Sequence, residues 1–396
     1  MPRPRPERGH NSVQLRRYNE RLLLQTLRRA GEASKADLAR KTYLTNTAVG
    51  SIVQSLEEAD LIAYGGRRSE GRGQPATMIR LNPKGAFGVG VRLDRDSIET
   101  VLVDFDGAIL ARRRHDCILP SPAQTLEMVR TDIDAVLAVL GSAERKRLAG
   151  VGLAQPFNLG AWLDQLVLTT PDFHAWDEID FSDQLGKATG LPVFSENDGN
   201  AAAIAELFYG CGRNHEDFIY LFLGPVIGCG IALEGDCLRG VTGNAGDIAV
   251  MPVTPSRLPS APPPEGEWGL LLSRVSLNAL ARHLRYCGET VGTHAALNRF
   301  IEAGHPAVEE WLDDCIAALT PALRSALCIL DVPLVVIDAD VDAGLIERVI
   351  DKLAASLEQA APEARHAPRI IRGSFGSDAG AIGAASLPMF FNFSPR

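Results

Sequence analysis

The spacing of apolar residues in the first sixty positions predicts three helices. The first carries apolar side chains at helical intervals from Leu15 to Leu27 and is expected to end at Gly31. The second spans Lys35 to Lys41, and Ser34 is placed to cap its N-terminus. The third covers residues 46–59 and turns an apolar stripe inward, made of Val49, Ile52, Val53 and Leu56.

Two short helices around a tight turn are typical of a helix-turn-helix, whose second helix can lie in the major groove of DNA. In this chain that helix is the third one, because small polar side chains face outward near its beginning. Small side chains let the backbone approach the edges of the bases. We therefore expect DNA contacts from Thr45, Asn46, Thr47, Ser51 and Gln54.

A Gly/Arg-rich loop between two β-like runs follows, in the segment Y-G-G-R-R-S-E-G-R-G-Q-P-A-T-M-I-R-L. This pattern predicts a β-wing. Arginines on flexible backbone suit contacts to phosphates or to a narrow minor groove, and the candidates are Arg67, Arg68 and Arg72. For the helices alone, a packing or dimerisation module stays an alternative, and for the loop a solvated hairpin.

Charge is distributed unevenly along the 396 residues. Residues 1–84 hold 16 Lys/Arg against 8 Asp/Glu, whereas the rest of the chain holds 24 against 41. A basic head on an acidic body attracts a polyanion to one end of the molecule, which favours nucleic-acid binding there. The predicted domains are a disordered Arg/Pro-rich arm at 1–12, a winged helix-turn-helix at 13–84 and a body at 85–396.

Composition narrows the class of protein further. Apolar residues make up 46% and charged residues 22%, as in ordinary globular proteins. No apolar run reaches the roughly 18 residues that cross a bilayer, and no apolar signal segment opens the chain, so we expect a cytoplasmic protein without membrane contact. The cysteines form no C-x-x-C pair and the histidines no H-x-x-x-H face, so we predict no metal site and no cofactor.

The body contains a weak internal repeat. Strand, turn and strand follow Phe87 in the run G-V-G-V-R-L-D-R-D-S-I-E-T-V-L-V-D-F-D-G, and a similar run begins near residue 220. Asp106-Gly107 and Glu234-Gly235 occupy matching turns, each before a short third strand. The repeat predicts two related α/β halves, and a cleft between such halves is the usual place for a ligand.

One segment carries a resemblance to a known family. Residues 191–213, L-P-V-F-S-E-N-D-G-N-A-A-A-I-A-E-L-F-Y-G-C-G-R, resemble the E-N-D-x-N-A-A signature of the ROK family of sugar kinases and transcriptional repressors. The likeness continues through 243–253 and into F-G-S-D-A-G-A-I-G-A-A, and it covers nearly all of the chain after residue 85. It implies an α/β body of two lobes with an actin-like, hexokinase-like fold. The preceding winged helix-turn-helix matches the regulator branch, which the kinases of the family lack.

The sequence departs from the kinase pattern at both phosphate-binding loops. Where the kinases have D-x-G-G-T, this chain has R-L-D-R-D, so that Arg92 replaces the aspartate while Asp94 and Asp96 would repel phosphate. In the second loop Pro225 removes an N–H donor and Val226 adds a side chain. The zinc motif G-E-x-G-H of similar proteins is replaced by G-D-I-A-V. We therefore expect no catalytic residue and no kinase activity.

The resemblance also implies candidates for binding a ligand in the cleft. Asp198 resembles the general base of the kinases, and without phosphate loops its retention is better explained by hydroxyl binding. The pair Asn197-Asp198 is equally suited to capping the helix that follows, so ligand contact and pure capping stay open alternatives. Weaker candidates are Asp247, Asp172 and His174.

These features together predict a ligand-responsive, DNA-binding regulator, and specifically a repressor of carbohydrate-related genes. Its expected partners are a double-stranded operator, a sugar, polyol or sugar phosphate as effector, and further copies of the chain in a homodimer or homotetramer. Two rivals stay open. One is a sugar kinase with a DNA-binding appendage, which ATP binding would reveal; the other is a regulator that responds to a protein.

Overall fold

The N-terminal head is a winged helix-turn-helix, as the sequence predicts. A computed structural model describes residues 12–68, 76–157, 159, 173–264, 266–359 and 366–395. The head helices are α1 (Ser12–Ala30), α2 (Lys35–Thr42) and α3 (Asn46–Glu58). An antiparallel sheet joins, in spatial order, β1 (Glu32–Ala33), β3 (Ala76–Leu81) and β2 (Ile62–Arg68).

Local sequence signals account for the head helices. Ser34 and Asp37 form a capping box at the start of α2, and the backbone N–H of Asp37 donates to Ser34 Oγ at 3.2 Å. The predicted inner face of α3 is buried along its whole length. In α1 the apolar stripe divides: its C-terminal part is buried, whereas Leu15 is 52% and Tyr18 42% exposed. Helical spacing defines a face, but tertiary contacts decide how far along the helix that face is covered.

The first lobe of the body is built on a five-stranded sheet. Its spatial order is β6-β5-β4-β7-β8, with the first three strands antiparallel and β4, β7 and β8 parallel. The strands are β4 (Phe87–Leu93), β5 (Ser97–Asp104), β6 (Ile109–Asp116), β7 (Leu148–Gln155) and β8 (Val193–Asn197). The helices are α4 (Pro122–Leu137), α5 (Ser142–Arg145), α6 (His174–Asp177) and α7 (Phe181–Thr189).

The second lobe repeats this topology with the order β11-β10-β9-β14-β15. Its strands are β9 (Phe218–Leu223), β10 (Ile227–Leu233), β11 (Asp236–Cys237), β14 (Leu334–Ala339) and β15 (Arg369–Arg372), and β12 (Pro252–Val253) pairs with β13 (Gly269–Leu270) beside them. Its helices are α8 (Asp198–Phe208), α9 (Leu277–Tyr286), α10 (His294–Glu302), α11 (Pro306–Leu330) and α12 (Ala343–Gln359), whereas the C-terminal helix α13 (Ala379–Phe393) returns to the sheet of the first lobe. The matching strand orders confirm the internal repeat.

Helices α8 and α13 form the centre of the body. They pack against each other, α13 lies on the first sheet and α8 lies on the second. The approach of α8 to β10 needs glycine, because a Cβ on Gly230 would lie 2.4 Å from the carbonyl oxygen of Gly199. The same core reaches the head, since Leu23, Leu24 and Leu27 of α1 are buried in one cluster with Phe208 and Phe390.

Helix α11 contains a proline in its interior. Helix α11 runs through Pro321 without interruption, although a proline removes a backbone hydrogen bond inside a helix. Residues on both sides of the proline, including Leu319 and Leu323, are buried in the core of the second lobe. Burial of this apolar face keeps the two halves of the helix together.

Candidate functional site

The outward face of α3 is the candidate DNA-reading surface. Thr45 caps the helix, and its Oγ1 accepts a hydrogen bond from the backbone N–H of Ala48 at 3.2 Å. Gln54 donates to Glu58 Oε1 at 3.0 Å along the same face. All five residues predicted to contact DNA are exposed: Thr45, Asn46, Thr47, Ser51 and Gln54. The fold thus brings them together on one accessible surface.

Tyr43 is a candidate that sequence patterns did not single out. It lies in the turn between α2 and α3, its side chain is 95% exposed, and its φ of 58° is in the left-handed region. An aromatic residue rarely adopts this backbone conformation, and strained positions of this kind concentrate at functional sites. The only sequence signal was an aromatic residue inside a helix-turn-helix turn.

The wing residues lie along β2 and the loop that follows it. Arg67 is exposed and pairs with Thr77 across the hairpin, just after a register shift that begins at Tyr64. Arg68 is the last residue of β2. Arg72 lies outside the described residues. The wing contacts of all three arginines therefore stay a prediction.

The two lobes enclose a cavity of about 370 Å³. Its walls come from the β4–β5 turn, the start of α8, the β9–β10 turn, residues 244–247 and one face of α9. Helix α9 contributes Asn278, Ala281 and Arg285 to this wall. A cavity of this size, with several polar groups converging on it, suits a small ligand such as a monosaccharide.

An ion pair fills the first predicted phosphate loop. Nη2 of Arg92 donates to Oδ2 of Asp94 at 2.8 Å, and both side chains are largely buried. Arg92 also lies over the beginning of α13, where a Cβ on Gly380 would come within 2.5 Å of Arg92 Cδ. Burial lowers the pKa of Arg92, but the charges of Asp94, Asp198 and Glu99 outweigh this and raise it. The cation is thus held by carboxylates at the place where the resemblance implied phosphate.

Asn197 and Asp198 both line the cavity and both cap α8. The backbone N–H of Gly199 donates to Asn197 Oδ1 and to Asp198 Oδ1, each at 2.8 Å. Burial and the neighbouring charge of Asp94 raise the pKa of Asp198, whereas Arg92 opposes the shift. Capping is therefore observed, and the same side chains face the space that a ligand would occupy.

The remaining cleft candidates differ in position. Asp247 is exposed at the cavity wall and accepts a hydrogen bond from Asn244 Nδ2 at 2.9 Å. His174 is exposed at the start of α6, where Nδ1 lies 4.0 Å from Asp177 Oδ2, and it is not among the described residues that line the cavity. Asp172 lies outside the described residues. A ligand role stays a prediction for each of them.

The loop at the position of the second phosphate loop also lines the cavity. Pro225 and Val226 both line it, so one backbone donor is missing and one side chain intrudes at this turn. Phe157 lines the cavity from the end of β7 and is 46% exposed. These residues reduce the space and the N–H groups that a nucleotide phosphate would need.

Arg28 joins the head to the body. It is buried in α1, and its Nη1 donates to the carbonyl oxygen of Phe105 at 2.8 Å. The guanidinium carbon lies 3.7 Å from the ring centroid of Phe208 and 5.4 Å from that of Tyr209. Burial lowers the pKa of Arg28 to about 10. We call Arg28, Phe105, Phe208 and Tyr209 the joint.

The joint and the cavity lie at opposite ends of α8. Asp198 begins this helix at the cavity, and Phe208 ends it at the joint. Eleven residues of helix span about 16 Å. Almost every residue of α8 is buried, so a shift at the cavity end has to displace its packed neighbours. No sequence pattern indicates this connection, because it depends on contacts between α1 and a distant helix.

None of the helices in the described part of the chain combines the length and apolar character that a bilayer crossing needs.

Two family models match the chain. The ROK family model matches residues 88–389, and the winged helix-turn-helix DNA-binding model matches residues 16–63. The first match covers most of the body, and the second covers the helices of the head and the beginning of β2. Both agree with the elements described above.

Individual proteins resemble the chain in the same way. An uncharacterized protein of Sinorhizobium fredii, y4fQ, is 27% identical over 95% of this chain and 91% of its own length. The xylose repressor of Bacillus subtilis is 27% identical over a region that covers 60% of this chain and 61% of the repressor. A solved ROK family transcriptional regulator, a homolog of the E. coli MLC protein, shares the fold with a TM-score of 0.68 at 20% identity, covering 96% of this chain and 98% of its own. The chain therefore belongs to the ROK family and carries an N-terminal winged helix-turn-helix.

Proposed function

We propose that the protein is a DNA-binding transcriptional repressor whose body senses a sugar or a sugar derivative. The observation that carries the proposal is the position of α8, which begins in the cleft and ends against the arginine that anchors the head. The exposed polar face of α3 supplies the DNA-reading surface. Relatives that are named as xylose repressors support repression rather than activation, and they support target genes related to carbohydrates.

The effector acts by changing the relative position of the two lobes. A ligand that binds the closed cleft more tightly than the open one shifts the population toward closure. Closure moves α8, and α8 moves the joint and the head with it. Coupling of this kind changes the affinity for DNA by roughly 5- to 150-fold.

The body binds its ligand without phosphorylating it. The ion pair of Arg92 and Asp94 occupies one phosphate loop, and Pro225 removes a donor from the other. Asp198 then serves to hold a ligand hydroxyl rather than to activate it. With ATP and a panel of pentoses, hexoses and polyols, we expect no phosphoryl transfer. Detection of a sugar phosphate would support the rival kinase function instead.

The protein acts as a homodimer or a homotetramer. Two copies of α3 would read half-sites separated by about 10 base pairs or a multiple of this spacing. Footprinting across the genome would supply the operator, and its neighbouring genes would identify the pathway.

DNA binding is tested by fluorescence anisotropy on the operator that footprinting identifies. Gln54→Ala should weaken binding by about 10- to 100-fold if Gln54 contacts a base, because one good base contact contributes about 1–3 kcal/mol. Gln359→Ala is the matched control, since Gln359 is an exposed glutamine at the end of α12. If the two variants bound the operator with equal affinity, Gln54 would not contact a base.

The sensor function is tested with the same operator and the same sugar panel. A ligand of the native body raises its thermal stability, and the proposal requires that this ligand also changes the affinity for DNA. A sugar that stabilises the protein and leaves the affinity for DNA unchanged would contradict the sensing mechanism. If no member of the panel stabilises the protein, a regulator that responds to a protein becomes the better description.

A further inference from the structure

Three side chains that can ligate metals meet on the side of α9 that faces away from the cleft. His283 lies in α9, Cys287 is its C-terminal cap one turn later, and Glu310 reaches them from α11. Their ligand atoms all lie within 4.8 Å of one another. Ala281 and Arg285 of α9 line the cavity. His283 and Cys287 each follow one of these residues by two positions, which places them on the opposite side of the helix. The group is therefore separate from the ligand cleft.

His283 is held in a fixed orientation. Its side chain is buried, Nδ1 lies 2.9 Å from Ser260 Oγ, and Nε2 lies 2.9 Å from Glu310 Oε2. Ser260 belongs to the proline-rich loop between β12 and β13. Histidines that bind metals usually donate their second ring N–H to such a partner, which directs the free nitrogen toward the ion. Ser260 can accept that hydrogen bond and leave Nε2 available.

The chemistry of the three groups selects the ion. An imidazole nitrogen, a thiolate and a carboxylate are all zinc ligands, and the soft thiolate disfavours magnesium and calcium. In tetrahedral coordination a nitrogen and an oxygen ligand lie roughly 3.3 Å apart. The 2.9 Å between His283 Nε2 and Glu310 Oε2 therefore has to widen by only about half an ångström, and the Glu310 side chain is 57% exposed and can adjust to both other ligands.

We propose that His283, Cys287 and Glu310 bind a zinc ion. Cys287 and Glu310 are both exposed, which gives the ion a path from solvent and leaves the fourth coordination position to water. The ion ties α9 to α11 and, through Ser260, to the proline-rich loop. Because the opposite face of α9 forms a wall of the cleft, zinc also stiffens that wall.

The experiment uses the full-length protein after dialysis against a chelator, with cobalt as the spectroscopic probe. We expect cobalt to produce the near-ultraviolet absorption of a cobalt–thiolate bond, and zinc to displace it. Cys287→Ser should abolish this absorption. Glu310→Gln should weaken cobalt binding by on the order of 100-fold, and Ser260→Ala, which removes only the partner of Nδ1, by about 10-fold.

Cys328→Ser is the matched control, because Cys328 is also an exposed thiol and lies on α11, outside the group. It should leave the cobalt absorption unchanged. The four variants avoid the buried His283, whose replacement could unfold the helix. The proposal is overturned if the unaltered protein gives no cobalt–thiolate absorption, or if Cys287→Ser retains it; the three residues would then form only a hydrogen-bonded contact between helices. DNA binding by the unaltered protein, measured in parallel, tests the regulatory function independently.

Discussion

Two largely buried arginines at opposite ends of α8 are held in different ways. Arg28, in the joint, lies against aromatic rings, and its hydrogen bond within the described part of the chain goes to a backbone carbonyl. Arg92, at the cavity, is paired with Asp94 and feels the charges of Asp198 and Glu99. Burial lowers the pKa of Arg28, whereas neighbouring carboxylates raise the pKa of Arg92.

The two arginines therefore differ in how their contacts respond to a ligand. Aromatic faces hold Arg28 by shape and by cation–π attraction, so the contact survives changes of ligand in the cleft. Carboxylates hold Arg92 by charge, and a ligand that binds those carboxylates can compete for them. We therefore expect the cavity end to respond to the effector and the joint to transmit the response.

The largest effect is expected at the joint. Arg28→Ala should lower the free energy of unfolding by about 3 kcal/mol, because it removes a buried hydrogen bond, the cation–π contacts and the packing of the side chain. Arg28→Met should cost clearly less, since it refills the volume and leaves no buried carboxylate unpaired. Urea unfolding measures both.

Arg29→Ala provides the control for the joint. Arg29 is the next residue of α1, and its ion pair with Glu216 at 2.7 Å is partly exposed. Its loss should change stability by no more than about 0.5 kcal/mol. If Arg28 and Arg29 had the same effect, the joint would have no special role.

A pH dependence of stability is expected from a buried carboxyl group near the C-terminal half of α8. Glu206 in α8 is buried close to Asp338, and burial, followed by the charge of Glu206, raises the pKa of Asp338 to about 7. The folded protein therefore binds a proton more tightly here than the unfolded chain does. Stability from this group is complete below about pH 4 and is lost, by a few kcal/mol, as the pH rises to about 7.

Asp338→Asn should flatten the stability profile over this range. Asp351→Asn, at an exposed position of α12, should leave the profile as it is. Urea unfolding at a series of pH values measures the slope for each protein. A slope that persists unchanged in Asp338→Asn would assign the dependence to other groups.

A smaller effect is expected at the cavity. Arg92→Ala should lower the free energy of unfolding by about 1–2 kcal/mol, because it removes the partner of Asp94 and a cation that offsets the charge of Asp198. Solvent reaches both members of the pair, with 13% and 18% of the side chains exposed, so the cost is less than for a fully buried pair. Adding Asp94→Asn should recover part of the loss. Additive effects of the two substitutions would show that the ion pair does not hold Arg92.

The smallest effect comes from displacing Arg92 without removing it. Gly380→Ala places a Cβ within 2.5 Å of Arg92 Cδ, so the flexible side chain has to shift. We expect a loss of less than about 1 kcal/mol in urea unfolding. Gly50→Ala in α3 is the control, because its Cβ would meet nothing within 4 Å and alanine favours a helix. A loss in both variants would point to backbone effects rather than to Arg92.

Much of the head could be predicted from its sequence because short-range signals determine it. The capping box of Ser34 and Asp37, the cap at Thr45 and the apolar stripe of α3 each act within a few residues. The division of α1 into exposed and buried parts could not be predicted in this way. It depends on where the body, which is distant in sequence, covers the helix.

The candidate sites show the same limit. The residues around Asp198 carried a family signature, and the structure places Asn197 and Asp198 at the cavity. Tyr43 and Arg28 carried no pattern, because exposure at a strained turn and burial among aromatic rings are visible only in three dimensions. Similarly, no sequence motif marks the proposed zinc site, since Glu310 joins His283 and Cys287 only through the packing of α11 against α9.

By itself the sequence determined the helices of the head, the positive charge of the head and the repeated α/β halves, and its resemblance to the ROK family indicated the loss of the glycine-rich phosphate loops. Periodicity, capping and charge are local properties, so they can be read along the chain. Only the tertiary structure decided which distant residues meet: Arg92 with Gly380, and Arg28 with Phe208 at the far end of α8. The physical reason is that packing joins residues far apart in sequence, and burial then sets the pKa values and contacts that function requires.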